Sequence, residues 1–159
     1  MTNLDSNNGS ADLLLRYLGG PQAVKAVLTP LGVDPDAYQQ VDGSGLSRQN
    51  SATPAALVAT LRAMHSISYR QGIFYTSLPV AGISGTLKNR LRNTSAQGRV
   101  HAKTGTLSGV SALSGYVENP EYGTLVFSII VNNPNQSGLV MTKAIDEIVL
   151  RLTQLTRCK

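Results

Sequence analysis

The sequence predicts an α/β fold of the α+β kind, in which helices flank an antiparallel sheet. Apolar residues recur at helical spacing in the first part of the chain and again at its end. Between these parts lie three strand-length segments, residues 99–106, 111–118 and 124–132, which Gly, Asn and Pro separate. The two connections between the strands are short, as antiparallel hairpins require. A length of 159 residues suits one core, so residues 1–159 are predicted to form a single domain.

Three helices are predicted ahead of the strands. The first lies within residues 6–17, which open as a loop, and the Gly19–Gly20 pair stops it. The second spans residues 21–31 and starts on a proline, which suits the first turn of a helix. The third begins at Thr53 and Pro54, where a capping hydroxyl precedes a residue with a preset φ angle.

The segments that connect these helices to the strands read as loops, and a further helix follows the strands. Residues 32–50 are rich in Asp, Pro, Gly and Ser, a composition typical of an ordered loop. Residues 68–93 predict an irregular segment with short helical pieces. Residues 138–156 show apolar side chains at helical spacing and predict a long amphipathic helix that closes the chain.

The third predicted strand is apolar on both faces. Within its run at residues 125–131, Ser128 is the one polar residue. A strand of this kind is usually central in a sheet that is covered on both sides, and a central strand has two neighbours. We therefore expect part of the sheet to belong to a missing portion. A free apolar edge would pair with that portion or with another chain.

Charge and composition argue against several classes of partner. The net charge of +5 comes from 14 basic and 9 acidic residues, and only Lys88, Arg90 and Arg92 cluster. A nucleic-acid-binding protein needs a basic stripe, and a short cluster is more often a solvated face. The sequence therefore predicts no nucleic-acid partner. It also predicts no transmembrane segment, because no apolar run is long enough, and no metal, because no Cys/His spacing resembles a metal site.

Two short motifs carry chemical information when they are read together. Lys103, Thr104 and Gly105 stand near the end of the first predicted strand, and a Ser-x-Asn triplet, Ser6 to Asn8, precedes the first helix. Either motif alone is weak, because Ser and Asn also cap helices and a polar strand end is common. Penicillin-binding proteins and β-lactamases carry both, beside Ser-x-x-Lys, and in the order found here.

Longer segments extend this likeness over nearly the whole chain. Residues 6–19, 42–50, 78–87 and 101–108 resemble segments of the D-alanyl-D-alanine carboxypeptidases that also act as endopeptidases, a branch of the low-molecular-mass penicillin-binding proteins. The resemblance implies the C-terminal part of a β-lactamase/transpeptidase-like fold. It implies a serine-type carboxypeptidase, with endopeptidase activity left open, that acts on peptidoglycan stem peptides ending in D-Ala-D-Ala. It also implies β-lactam antibiotics as ligands of the complete protein, an extracytoplasmic location in the periplasm or cell wall, and no cofactor.

The resemblance assigns catalytic roles to three residues. Ser6 is expected to relay a proton towards the leaving nitrogen, and Asn8 to hydrogen-bond the substrate amide. Lys103 is expected to place a positive charge next to Ser6 and the substrate carboxylate, which suits the compact, rotatable ammonium of lysine. For each of two further polar residues, two interpretations remain open. Arg48 either contacts substrate or stabilises its loop, and His101 is either catalytic or a partly exposed strand residue.

Three further residues are expected to bind the substrate. The Thr104 hydroxyl is expected to donate to the substrate carboxylate, and Gly105 lets the substrate backbone approach the strand because it has no side chain. The backbone N–H of Thr106 is expected to donate to the oxyanion.

The nucleophile of this family lies in Ser-x-x-Lys, and none of the lysines in this sequence has serine three positions before it. We therefore expect the nucleophile on the missing N-terminal portion and the isolated chain to be inactive. Two alternatives remain open. A non-catalytic peptidoglycan-binding remnant would retain Ser6, Asn8 and Lys103, and a serine β-lactamase-like hydrolase uses similar motifs. Residues 42–50 and 78–87 favour the carboxypeptidase over the β-lactamase.

Overall fold

The computed structural model describes residues 2–157, and the side chains of the same residues except 68–71. Its elements are α1 (Asn8–Tyr17), α2 (Gly20–Leu28), β1 (Tyr38–Gln39), β2 (Ser51–Ala52), α3 (Pro54–Ser66), α4 (Ser68–Ser77), β3 (Val100–Leu107), β4 (Val110–Asn119), β5 (Gly123–Asn132) and α5 (Gly138–Thr153). Short 3-10 turns occupy Thr29–Leu31 and Gly85–Leu87. None of the described helices is both long and apolar enough to cross a membrane.

The main sheet is an antiparallel meander in the order β3-β4-β5. Its register places Lys103 of β3 opposite Ser114 of β4, and Ser114 opposite Ser128 of β5. β1 and β2 form a separate two-stranded ladder at the two ends of the 42–50 loop. The predicted class, helices flanking an antiparallel sheet, is confirmed.

One face of the sheet packs against α5 and forms the larger core cluster. Leu113 and Val117 of β4 contact this helix, which presents Ile145 and Val149 at a spacing of four residues. Each of these four side chains is at most 1% exposed. The i, i+4 spacing puts the apolar side chains of α5 on one helix face, and the two-residue alternation of β4 does the same for the sheet.

The opposite face of the sheet packs against α3 and α4. Tyr116 of β4 is buried there, and its hydroxyl donates to the Leu61 carbonyl oxygen at 2.7 Å. Burial raises the pKa of Tyr116 to about 12, so the hydroxyl stays protonated. Phe74 and Tyr75 of α4 pack around the same ring. The tyrosine therefore joins the sheet to both helices.

Residues 68–93 contain short helical pieces around Thr76 and Leu87, as predicted: Ser68–Ser77 form α4 and Gly85–Leu87 form a 3-10 turn. α4 is longer than the sequence indicated, because its aromatic residues gain stability by packing on Tyr116. Among the three described strands of this sheet β4 is central, and β5 lies at an edge with α3 on one face and α5 on the other. Both faces of β5 are therefore covered, as its apolar sequence predicted. A further strand beside β5, on a missing portion, stays a prediction.

The 88–93 segment is fastened to α5 by an ion pair. The Arg90 guanidinium binds the Asp146 carboxylate through two nitrogens, with a shortest distance of 2.6 Å. Both side chains are about one-fifth exposed. One member of the basic cluster predicted as a solvated face is therefore paired with a carboxylate.

Candidate active site

A cleft of about 550 Å³ opens beside β3, and all six residues predicted for the site line it. The lining set includes Ser6, Asn8, Lys103, Thr104, Gly105 and Thr106. The start of α1 supplies the first two, and consecutive positions of β3 supply the other four. A second cavity of about 540 Å³, between α2 and α3, meets the cleft at Lys103 and Thr104.

The side chains of Ser6 and Lys103 are in direct contact. The Lys103 ammonium donates to Ser6 Oγ at 2.6 Å and to the Thr104 carbonyl oxygen at 2.7 Å. The two side chains lie 97 positions apart in the sequence. The expected proximity of Ser6 and Lys103 is confirmed, and Asn8 lines the same cleft. The chemical roles of these residues stay predictions.

Ser6 adopts an uncommon backbone conformation at the point where the chain enters α1. Its φ angle is +52°, in the left-handed region that residues with a Cβ rarely occupy. The turn is held by Ser6 N–H, which donates to the Asn3 carbonyl oxygen at 3.3 Å, and by Asn7, whose side chain accepts from Ser10 N–H at 2.8 Å. The cap starts α1 at Asn8 and leaves the Ser6 hydroxyl directed at Lys103.

Burial lowers the pKa of the Lys103 ammonium, because a partly desolvated site disfavours the charged form. The two oxygens that receive its hydrogen bonds, from Ser6 and Thr104, are both neutral. Because neither acceptor neutralises its positive charge, the Lys103 ammonium still attracts an anion that enters the cleft. The local chemistry therefore suits binding of a carboxylate near Lys103.

The outer edge of β3 is open to a ligand along its second half. Ala102 N–H donates outward to the Pro79 carbonyl oxygen at 3.0 Å, and Val80 forms an isolated bridge with His101. Backbone N–H groups two residues apart in a strand point to the same edge, so the N–H groups of Thr104 and Thr106 point outward as well. An extended peptide can add to such an edge as a further strand.

Thr86 lines the cleft in addition to the six residues predicted for the site. Its Oγ1 accepts a hydrogen bond from Thr104 Oγ1 at 2.9 Å. Gly85 places it there, with a φ angle of +56° and so little room that a Cβ would lie 2.4 Å from the Leu4 carbonyl oxygen. A sequence signal existed, because Ser-Gly-Thr-Leu at residues 84–87 echoes Thr-Gly-Thr-Leu at residues 104–107.

The 42–50 loop forms another wall of the cleft and is organised around Asp42. The carboxylate accepts from Gly45 N–H at 2.6 Å, Ser47 N–H at 2.7 Å and Asn50 Nδ2 at 2.8 Å. Burial by itself raises the pKa of Asp42, but these hydrogen bonds outweigh it and the pKa is lowered. Arg48 Nη2 donates to the Ser108 carbonyl oxygen at 2.9 Å, which favours its interpretation as a loop-stabilising residue.

His101 belongs to an aromatic cluster next to the cleft. Its ring stacks on Tyr75 with 4.0 Å between the centroids. Burial lowers the pKa of His101, which keeps the ring neutral at physiological pH. This packing favours the structural interpretation of His101 over a catalytic one. Within residues 2–157, no group of three His, Cys, Asp or Glu side chains could hold a metal ion.

The chain matches the D-Ala-D-Ala carboxypeptidase 3 (S13) family over residues 1–155. It is 44% identical over 165 residues to a D-alanyl-D-alanine carboxypeptidase of Actinomadura sp., with 94% of this chain and 30% of that protein covered. The chain therefore spans about a third of the length of this curated relative.

Solved structures show the same fold. The crystal structure of penicillin binding protein 4 (dacB) from Haemophilus influenzae superposes with a TM-score of 0.83 at 25% identity, covering 96% of this chain and 38% of that one. The TLA-1 extended-spectrum β-lactamase superposes with a TM-score of 0.76 at 21% identity, covering 96% of this chain and 60% of that one. The predicted likeness to the β-lactamase/transpeptidase-like fold is confirmed.

Proposed function

Because this chain belongs to the D-Ala-D-Ala carboxypeptidase 3 (S13) family, we propose that it forms the substrate-binding part of a serine-type D-Ala-D-Ala carboxypeptidase. Its substrates are peptidoglycan stem peptides that end in D-Ala-D-Ala, with endopeptidase activity at the same site left open. The observation that carries the proposal is the 2.6 Å contact between Lys103 Nζ and Ser6 Oγ in a cleft lined by the remaining motif residues. A β-lactam, whose carboxylate would lie near Lys103, is the proposed inhibitor.

The proposed reaction is acyl transfer through a covalent acyl-enzyme. A serine oxygen attacks the carbonyl carbon between the two terminal D-alanines, the C–N bond breaks, and D-alanine leaves with a proton on its nitrogen. Water then attacks the ester and releases the shortened peptide, so one difficult hydrolysis becomes two easier steps. The attacking serine lies outside these 159 residues, since they contain no Ser-x-x-Lys. We place the complete enzyme outside the cytoplasm, where peptidoglycan is found.

The residues of this chain bind the peptide and transfer the proton. Lys103 and the Thr104 hydroxyl hold the terminal carboxylate, and Asn8 donates to the acyl-side amide. Ser6, which accepts a hydrogen bond from Lys103, passes its own proton to the leaving nitrogen and is reprotonated by the proton that the attacking serine gives up. The outward N–H of Thr106 donates to the oxyanion, and loss of such a donor typically slows a reaction by about 100- to 1000-fold.

A second candidate function has one observation in its favour. A non-catalytic peptidoglycan-binding protein would need the cleft and Lys103 but no nucleophile, and the sequence holds no Ser-x-x-Lys. Reaction with penicillin separates the two functions, because only the enzyme forms a covalent ester.

The test uses labelled penicillin and mass spectrometry on two proteins. The 159-residue chain alone is expected to gain no penicillin mass, because it contains no Ser-x-x-Lys and the Lys103 ammonium donates its hydrogen bond to Ser6 instead of accepting a proton from it. A protein that joins these residues to a Ser-x-x-Lys segment of an S13 relative is expected to gain one. In that protein Lys103→Ala should reduce acylation and carboxypeptidase activity together, whereas Lys143→Ala, on the exposed face of α5, should change neither.

Two results would contradict the proposal. Unchanged acylation in a folded Lys103→Ala protein would remove the role assigned to this lysine. One penicillin mass on the 159-residue chain would show that the nucleophile lies within it.

A further inference from the structure

Asp12 has no part in the proposed reaction, yet its carboxylate fastens α1 to the 42–50 loop. Asp12 Oδ1 accepts hydrogen bonds from Gly43 N–H at 2.9 Å and from Ser44 N–H at 2.8 Å. Residues four apart lie on the same face of a helix, so Asp12 shares a face of α1 with Asn8. One helix face therefore carries a cleft-lining side chain and the carboxylate that holds the loop.

Gly43 lets this loop lie directly on the backbone of α1. A Cβ at this position would lie 2.3 Å from the Ala11 carbonyl oxygen and 2.7 Å from the Ala11 carbonyl carbon. Both are backbone atoms that a rotamer change cannot move, so any side chain here would push the loop off the helix. The close approach at Gly43 and the two hydrogen bonds to Asp12 fix the same docking of loop on helix.

The docked residues face the reactive lysine. Ser44 and Gly45 line both the cleft and the neighbouring cavity, and so do Lys103 and Thr104. We call Ser44 and Gly45 the cleft wall. Since the same two cavities separate the cleft wall from the Lys103 strand, a shift of the loop changes the width of the cleft.

Internal hydrogen bonds fix the conformation of the loop, so its contacts with the rest of the chain determine its position. The three hydrogen bonds to the Asp42 carboxylate are internal to the loop. Outside it, Asp12 holds one end on the helix that begins with Asn8, and the Arg48 contact to Ser108 holds the other end on the β3–β4 turn. The loop thus connects the two halves of the site.

We propose that Asp12 is a positioning residue of the active site, which holds the cleft wall at a fixed distance from Lys103. The inference rests on the proposed function for the identity of the ligand, but the placement of the wall does not depend on a ligand. Asp12 acts through the Gly43 and Ser44 N–H groups. An uncharged oxygen acceptor at the same position therefore retains most of the effect.

Two substitutions separate the effect of the hydrogen-bond acceptor from the effect of the negative charge. Asp12→Ala and Asp12→Asn both remove the negative charge, and only asparagine keeps an oxygen that can accept from Gly43 and Ser44. Glu147→Gln, on the exposed face of α5, is the control for loss of one negative charge. Amide NMR spectra of the 159-residue chain report on each variant, without ligand and during titration with diacetyl-L-Lys-D-Ala-D-Ala.

In Asp12→Ala, the amide signals of the cleft wall and of residues 103–106 are expected to move, while those of the α5 core stay in place. The dissociation constant of the peptide is expected to rise about tenfold, the equivalent of one ordinary hydrogen-bonded contact. The dissociation constant for Asp12→Asn should stay within about threefold of that for the unsubstituted chain, and the constant for Glu147→Gln should equal it.

A folded Asp12→Ala chain with unchanged amide signals at residues 103–106 would overturn the positioning role, whatever its dissociation constant for the peptide. If the peptide moves no cleft signal in the unsubstituted chain, the proposed function fails, and the ligand-free signals still decide the role of Asp12. If Asp12→Ala does not fold, Asp12→Glu decides, because it keeps the charge but displaces the acceptor by one methylene: shifted signals at the cleft wall and at residues 103–106 support the proposal, and unchanged signals overturn it.

Discussion

The two faces of the sheet differ in chemistry although the same three strands build both. On the α5 face, Leu113 and Val117 of β4 are completely buried in an apolar cluster. On the α3 face, the residue that follows Leu113 is Ser114, which stands opposite Lys103 on one side and Ser128 on the other. A polar row therefore crosses one face from the active site to the outer strand, and the other face is apolar at the same level.

This difference shows how a small sheet can support a core and an active site at once. Side chains alternate between the faces along each strand, so Ala102 packs in the core while its neighbour Lys103 serves the cleft. The larger apolar cluster lies on the α5 face. The α3 face carries groups that are placed for chemistry, each with its own hydrogen-bonding requirement, as at Ser6 and Lys103. Substitutions on the two faces should therefore have different effects.

The largest effect is expected on the apolar face. Leu113→Ala removes a fully buried side chain from the core cluster and should lower the free energy of unfolding by about 2–5 kcal/mol. Leu139→Ala, at a residue of α5 that is 66% exposed, should change it by less than about 0.5 kcal/mol. Urea denaturation followed by circular dichroism measures both. Similar losses for the two variants would mean that the α5 face is not the main source of stability.

A smaller effect is expected within the polar row. The hydroxyl groups of Ser114 and Ser128 lie 2.8 Å apart and form a hydrogen bond. Either single substitution by alanine leaves the other hydroxyl without this partner and should cost about 0.5–1.5 kcal/mol, whereas the double substitution should cost less than the sum. A double-mutant cycle in urea gives the coupling energy. Strict additivity would show that the two serines do not act as a pair.

The smallest effect is expected at Lys103, and it depends on pH. Burial lowers the pKa of Lys103 in the folded chain below its ordinary value of 10.5, so the unfolded chain holds the proton more tightly. The contribution of Lys103 to stability is therefore fully present above pH 10.5 and is lost as the pH falls through the folded-state pKa. Lys103→Met should be the more stable chain at pH 7, by less than about 1 kcal/mol because solvent screens a partly exposed charge.

Urea denaturation at pH 7 and at pH 10.5 tests this sign. The stability difference between the Lys103→Met chain and the unsubstituted chain should shrink at the higher pH. Lys143→Met, at an exposed lysine of α5, should show no such change. A difference that grows with pH would mean that the folded structure favours the charged form of Lys103.

The strands could be predicted because their sequence signals are local. Alternating apolar residues and the Gly, Asn and Pro between them placed the three strands within a residue of β3, β4 and β5. The contact between Ser6 and Lys103 followed from the order of two short motifs and a family resemblance. The order of the strands could not be predicted. Apolar residues on both faces of β5 indicate that both faces are covered, but they do not say which strands lie beside it.

The remaining features depend on contacts that leave no periodic pattern in the sequence. α4 exists because Phe74 and Tyr75 pack on a tyrosine of a distant strand. The docking of Asp12 on Gly43 joins a carboxylate to backbone N–H groups, and nearly any residue type except proline has such a group. Sequence composition predicts a loop there, but it does not say which helix the loop lies on.

The left-handed backbone of Ser6 has a consequence for protein engineering. Residues with a Cβ pay about 1 kcal/mol or more in this region, and glycine does not. A screen that selects only for thermal stability would therefore favour Ser6→Gly, and that variant would lose the hydroxyl that accepts from Lys103. At this position a higher melting temperature and the hydrogen bond from Lys103 to Ser6 are opposing goals, so a stabilised variant of this chain should be designed with residue 6 held fixed.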